Sequence, residues 1–141
     1  MKSAKQIVDQ FWTSFEAGNL AALAEYIHPD CHFRMPGMEV RDRNALLGML
    51  TAYHAAFPDM RHRPSHSVES GDTVAVELTV EATHTGPMQT PQGTIPATGR
   101  KVTWESCDYI RVRDGKVFSW HVYHDPTAFF TALGLAPGGA K

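Results

Sequence analysis

Hydrophobic positions recur at helical spacing through the first part of the chain and at strand spacing through the rest. Ile7, Phe11 and Phe15 fall at four-residue steps, and Val8 and Trp12 widen the stripe into a broad apolar face. Ser3 followed by Gln6 is a capping-box start and Gly18-Asn19 is a stop, so an amphipathic helix is predicted between them. Leu20, Leu23, Ala24 and Ile27 predict a short second helix that ends at Pro29. Cys31 to Met35 predicts a short strand, broken by Pro36-Gly37. Asp42 is placed to cap a third helix, with Leu46, Leu47, Leu50, Tyr53, His54 and Phe57 on one side and Pro58 closing it.

Beyond Pro58 the period changes. Met60 to Glu69 predicts a strand with alternating histidines at 62 and 66, and Gly71-Asp72 is a turn. Val74, Val76, Leu78, Val80 and Ala82 alternate without interruption, the mark of a half-buried strand. Gly86 to Gly99 holds three prolines and predicts a loop. Val102 to Arg113 and Lys116 to Asp125 predict two further strands around the hairpin signal Asp114-Gly115. Pro126 opens a short helix ending at Gly134. Helices followed by antiparallel strands give an α+β fold: three N-terminal helices packed on one face of a curved, mostly antiparallel sheet, enclosing a cavity, with a short C-terminal helix. Residues 1–135 are expected to form a single domain and 136–141 a flexible tail.

Composition narrows the function classes. A chain of 141 residues buries roughly 70% of its unfolded surface and needs no disulfide or metal to fold. Hydrophobic residues at 43% and charged residues at 20% exclude disorder and coiled coil, and no apolar run is long enough for a membrane span. Thirteen basic and fifteen acidic side chains, with no basic block, leave no electrostatic footprint for nucleic acid or anionic membrane. Cys31 and Cys107 fit reduced thiols, and Met1-Lys2-Ser3 leads into a helix rather than a signal peptide, so a cytoplasmic location is expected. Eight histidines and three tryptophans are the unusual feature.

A set of short motifs then points to a family. They are His28-Pro29-Asp30, Ala56-Phe57-Pro58-Asp59, Gly71 to Val76, Thr83-His84-Thr85-Gly86, and Ala97 to Val102. The clearest is the run from Asp114-Gly115-Lys116-Val117 through His121-Val122-Tyr123 and Asp125 to Leu133-Gly134-Leu135. In this order the chain resembles the SnoaL-like polyketide cyclases of the nuclear-transport-factor-2-like superfamily. The resemblance implies a cone-shaped α+β barrel, a homodimer, and a wider superfamily of isomerases, dehydratases, epoxide hydrolases and non-catalytic binding modules. It also implies that Asp125, near the end of the last strand, matches the family's general acid/base.

Strand parity selects the candidate chemistry. Val102, Trp104, Ile110 and Val112 share a face with Ser106 and Asp108, and a carboxylate on an apolar face must be paired, protonated or lining a wet pocket. His84 falls on the apolar face of its strand. On the last strand Val117, Ser119, His121, Tyr123 and Asp125 share one face, while Phe118, Trp120, Val122 and His124 share the other. The resemblance turns the odd-numbered face toward the cavity and leaves Trp120 and Phe118 for a homodimer interface on the outer face. Asp125-Pro126 is also an ideal helix start, so Asp125 is either an N-cap or a catalyst. His124 departs from the aromatic residue of the family and is assigned to the surface.

The expected chemistry is cofactor-free proton transfer on a small hydrophobic carbonyl compound: aldol cyclisation, isomerisation or a lyase step. A carboxylate in an apolar pocket has its proton affinity raised and exchanges protons near neutrality. Asp125 would act as base, with His121, His84 or Asp108 polarising the oxygen. Trp12, Phe15, Tyr53, His84, Trp104 and Tyr123 would line the ligand pocket. No convincing metal-ligand set is present, since Cys31 and His32 point to opposite faces of their strand. An epoxide-hydrolase site would need Asp–Arg–Asp, and Arg111 lies opposite Asp108 in parity. Two other classes stay open: a module that binds a hydrophobic ligand without transforming it, and a protein-interaction module using the outer sheet face.

Overall fold

The computed structural model describes residues 2–90 and 92–135, and the tail expected over 136–141 lies outside them. The chain opens with α1 (Ala4–Glu16), α2 (Leu20–Glu25), β1 (Ile27–Met35), β2 (Met38–Val40) and α3 (Arg43–Ala56). It continues with β3 (Arg61–Ser70), β4 (Thr73–Thr83), β5 (Met88–Thr90) and β6 (Gly93–Ile95). It closes with β7 (Lys101–Arg113), β8 (Lys116–His124) and α4 (Pro126–Ala132). Both sides of the capping box form: Ser3 Oγ accepts the Gln6 N–H and the Gln6 side chain accepts the Ser3 N–H. Asp42 caps α3 by accepting the Ala45 N–H at 2.8 Å.

The main sheet runs β2-β1-β8-β7-β4-β3 and is antiparallel except where β1 meets β8. Its edges, β2 and β3, do not pair, so the cone is a curved open sheet and not a closed barrel. The helices cover its concave face. Ile7, Val8, Phe11, Trp12 and Phe15 of α1 are buried there, against Val74, Val76, Leu78, Val80 and Ala82 of β4. Their alternation survives intact because β4 lies between two antiparallel neighbours in unbroken register with β7, from Thr73↔Arg111 to Thr83↔Lys101. None of the helices among the described residues is long and apolar enough to cross a membrane.

Three local expectations change. The second helix stops at Glu25, and the strand begins at Ile27 and runs through Pro29. The sheet captures this stretch: Ile27 pairs with Val117, whose N–H donates to the Tyr26 carbonyl at 2.7 Å. The proline-rich segment 86–99 is not all loop, because β5 and β6 make a small hairpin tied by Thr90 Oγ1 to the Gly93 carbonyl at 2.7 Å. At its base Gly86 is packed so closely that a Cβ would lie 2.1 Å from the Ala55 carbonyl oxygen.

The third change reverses β8. Val112 pairs with Val117 but Arg111 pairs with Ser119, so Phe118 is one residue too many and forms a β-bulge. Beyond it the parity flips. Trp120, Val122 and His124 pair with Ile110, Asp108 and Ser106 and face the cavity. His121 and Tyr123 pair with Tyr109 and Cys107 on the outer face. The odd-numbered face therefore does not line the cavity, and Trp120 is not available for an outer-face interface. Phe118 lies under the Arg113 guanidinium, 3.8 Å from the ring centroid.

Candidate active site

Between the helices and the sheet lies a cavity of about 400 Å³. Its walls are apolar and aromatic, and five methionines (Met35, Met38, Met49, Met60 and Met88) border it. Methionine side chains are long and unbranched, so such a wall adapts to the ligand it meets. Among the described residues no Lys or Arg borders the cavity. The ionisable groups there are Asp108, His62, His124 and the Tyr53 hydroxyl.

Asp108 stands on β7, where its alternation with Ile110 and Ser106 carries it inward, and only 3% of it is exposed. Ser106 Oγ donates to Oδ1, and the Trp120 indole N–H donates to Oδ2 at 2.9 Å. Burial pushes this carboxyl above the ordinary aspartate value. The two hydrogen bonds and the nearby His62 pull it back without cancelling the effect. When the acid is neutral, the contact with Ser106 can reverse: Oδ1–H donates to Oγ, and the hydroxyl hydrogen is released toward the cavity.

His62 borders the same cavity from the edge strand β3, two strands from β7. It stands on β3 opposite inward-facing Val80, with its ring stacked on Trp12 at 5.3 Å and edge-on to Phe15 at 5.9 Å. Glu16, the last residue of α1, holds it twice. One carboxylate oxygen accepts the His62 backbone N–H at 2.7 Å and lies 2.9 Å from Nδ1. Burial raises the Glu16 carboxyl, but these bonds outweigh it and hold Glu16 below the ordinary value. A carboxylate at Nδ1 fixes the proton there and leaves Nε2 as a basic lone pair. Nε2 has no hydrogen-bond partner among the described residues, and the ring borders the cavity.

Of the residues singled out from the sequence, Trp12, Phe15, Tyr53, Trp104 and Asp108 border the cavity. His84, His121, Tyr123 and Asp125 do not. His84 is fully buried behind Phe57, with ring centroids 5.2 Å apart. Its Nδ1 accepts the Thr98 N–H at 3.2 Å and lies 3.0 Å from Thr98 Oγ1, so the ring fastens the end of the 84–100 segment. His121 is on the outer face, with Arg34, His32 and Ser119 each 3.4 Å away. Tyr123 is 53% exposed, and its hydroxyl accepts from Arg34 at 3.0 Å. Asp125 is the N-cap of α4, accepting the Thr127 N–H at 2.9 Å, with Pro126 at the first helical position. An exposed cap of this kind is already satisfied by the backbone.

The Glu16–His62 pair was not singled out from the sequence. The signal present was the alternation of His62 and His66 along β3, and His62 pairs with inward-facing Val80. His62 and His66 looked equivalent, but Ser65 is a bulge residue, so His66 pairs with outward-facing Glu77. Among the described residues no three His, Cys, Asp or Glu side chains are grouped as metal ligands would be.

The family model of the SnoaL-like domain matches residues 8–120. The chain belongs to the SnoaL-like family. Solved structures agree in shape. IdmH, a candidate polyketide cyclase from Streptomyces antibioticus, is 27% identical with a TM-score of 0.76, over 95% of this chain and all (100%) of that one. A SnoaL-like protein from Jannaschia sp. CCS1 gives a TM-score of 0.81 at 18% identity, covering 95% of this chain and 93% of its own. An LEH-like epoxide hydrolase of M. tuberculosis gives 0.72 at 17% identity, covering 92% of this chain and 88% of its own. These last two similarities establish the fold alone. No curated protein matches the chain.

Proposed function

We propose that this SnoaL-like protein catalyses cofactor-free proton transfer on a small, uncharged, hydrophobic carbonyl compound. His62 Nε2, backed by Glu16, takes the proton next to the carbonyl. Asp108, acting through the Ser106 hydroxyl, donates to the oxygen as it gains charge. Aldol cyclisation and isomerisation both begin with this step. The observation that carries the reading is a buried, raised carboxyl and a carboxylate-backed imidazole on the walls of one apolar cavity. A carboxyl whose proton is held more firmly by burial, on one cavity with an imidazole that has a free lone pair, supplies the acid and the base such chemistry needs. An epoxide-opening reading has less support, because no arginine borders the cavity among the described residues.

The test uses a general carbon acid. 2-Tetralone in D2O exchanges its α-protons for deuterium, and ¹H NMR follows their loss. The protein is expected to accelerate exchange, and His62→Gln and Asp108→Asn are each expected to remove about 10²-fold or more of the acceleration. Exchange at the wild-type rate in both variants would sink the assignment. Binding of the ketone with no exchange would favour a module that holds its ligand without transforming it.

A further inference from the structure

Proton transfer leaves the methionines of the cavity wall without a role. The chain has six methionines, and every one after Met1 borders the cavity. They do not stand at equal depth. Met60 and Met88 are 5% and 6% exposed, whereas Met35, Met38 and Met49 are half-buried. Met35 ends β1, Met38 opens β2, and the two are direct cross-strand partners. Pro36-Gly37 makes the turn between them, with Gly37 at φ 79°, a conformation that suits glycine. Pro36 and Gly37 are exposed and also border the cavity, so this hairpin tip stands at its mouth. Directly opposed side chains lie about 5 Å apart, which sets two thioethers side by side there. Met49 of α3 borders the same cavity one helical turn before Tyr53. Neither cysteine borders it: Cys31 is enclosed, and Cys107 is exposed on the outer face opposite Tyr123.

We propose that Met35, Met38 and Met49 are a peroxide-oxidation site that sets the cavity's affinity for its ligand. This rests on the cavity holding an apolar carbonyl compound, and not on which residues move the proton. The thioether sulfur attacks one oxygen of a hydroperoxide. An S–O bond forms as the O–O bond breaks, and the hydroxyl proton passes to the departing oxygen. The sulfur is oxidised to a sulfoxide, and the peroxide is reduced to water or an alcohol. No charge is gained, but a strong hydrogen-bond acceptor now stands where the wall was apolar. An apolar ring packing there strips water from the sulfoxide and offers no donor in return. Among the described residues no Lys or Arg borders the cavity to bind the new oxygens instead. Sulfoxide reductases reverse the reaction, so the loss of affinity is reversible.

The experiment treats the full chain with hydrogen peroxide, maps sulfoxides by peptide mass spectrometry, and measures 2-tetralone binding by titration calorimetry. Met35, Met38 and Met49 are expected to oxidise before Met60 and Met88, because reaction follows exposure. The dissociation constant is expected to rise about tenfold or more, the effect of polar groups desolvated without partners. Incubation with the two methionine sulfoxide reductases, one for each epimer, is expected to restore it. The melting temperature is expected to stay unchanged while only the three mouth residues are oxidised. In the triple variant Met35→Leu, Met38→Leu, Met49→Leu, which conserves volume, affinity is compared before and after peroxide. There the rise is expected to vanish, whatever the starting affinity. Oxidation of the three with no change in affinity overturns the proposal, and so does a rise that persists in the triple variant. Oxidation of Met60 and Met88 first, with a falling melting temperature, overturns it as well. Failure of untreated wild type to bind 2-tetralone overturns the ketone reading of the cavity, and this inference with it.

Discussion

Asp108→Asn separates stability from activity in a way the geometry dictates. The folded carboxyl lies above the ordinary value because burial disfavours its charge. In the unfolded chain it returns to the aspartate value of about 3.9. Above that value the unfolded chain releases a proton that the folded chain still retains. The stabilising contribution of Asp108 is thus full below the unfolded value and is lost as pH rises through the folded one. Each pH unit of that gap makes folding about 1.4 kcal/mol less favourable at neutral and alkaline pH. Asparagine removes the charge without breaking the network. Its carbonyl can accept from Trp120 Nε1, and its amide can donate to Ser106 Oγ, replacing both bonds that Asp108 makes. The expected result is a variant about as stable as wild type near pH 4 and more stable near pH 8. The melting temperature should rise by roughly 4 °C for every kcal/mol recovered in a domain of this size. Thermal denaturation followed by circular dichroism from pH 4 to pH 9 gives the difference curve directly. A difference that stays flat with pH, or an asparagine variant that is the weaker one at pH 8, would refute the buried-acid argument.

Other substitutions probe the frame around the site. Trp120→Phe removes the donor to Asp108 Oδ2 and keeps the edge-on contacts to Phe11 and Phe33, so the acid should bind its proton more firmly. The limb of the exchange pH profile that reports Asp108 is expected to move to higher pH, with a stability loss of about 1–3 kcal/mol in urea unfolding. Gly86→Ala is expected to cost about 1–3 kcal/mol, because its Cβ would meet the Ala55 carbonyl oxygen, and Gly86 N–H is already bound to the Ala56 carbonyl at 3.2 Å. A thiol-reactive disulfide reagent is expected to titrate one cysteine in the native protein and two after unfolding. Cys107 is exposed, whereas Cys31 is enclosed and its thiol is pushed up to about 12 by burial.

What the sequence revealed and what it hid follow from one physical rule, that period-two parity holds only while strand register is unbroken. β4 and β7 pair without interruption from Thr73↔Arg111 to Thr83↔Lys101, so Asp108 and Ser106 could be placed on the cavity side from their spacing to Val102 and Ile110. β8 and β3 each contain an extra residue, Phe118 and Ser65, and a bulge leaves no signature where both faces are partly apolar, as on β8, or both polar and exposed, as on β3. The consequence is larger than a shift of one position. The bulge at Phe118 exchanges the whole polar set of β8, taking His121 and Tyr123 out of the cavity and putting Trp120 and His124 into it. Trp120 then becomes the hydrogen-bond donor to Asp108, so the same bulge that hides the site in the sequence assembles its acid. The bulge at Ser65 acts in the same sense on β3: it leaves His62 facing in and turns His66 out. Glu16 was invisible for a different reason. It ends α1 at the rim of an amphipathic stripe, and only the tertiary crossing of α1 over β3 brings its carboxylate to His62. A register lock placed at these bulges is therefore a direct handle on chemistry. Deleting Phe118 takes out the extra residue and leaves Ser119 to His124 in the pairing they already hold, from Arg111↔Ser119 to Ser106↔His124. The resulting chain should keep the Trp120–Asp108 bond and ketone exchange, and losing both would refute the bulge argument.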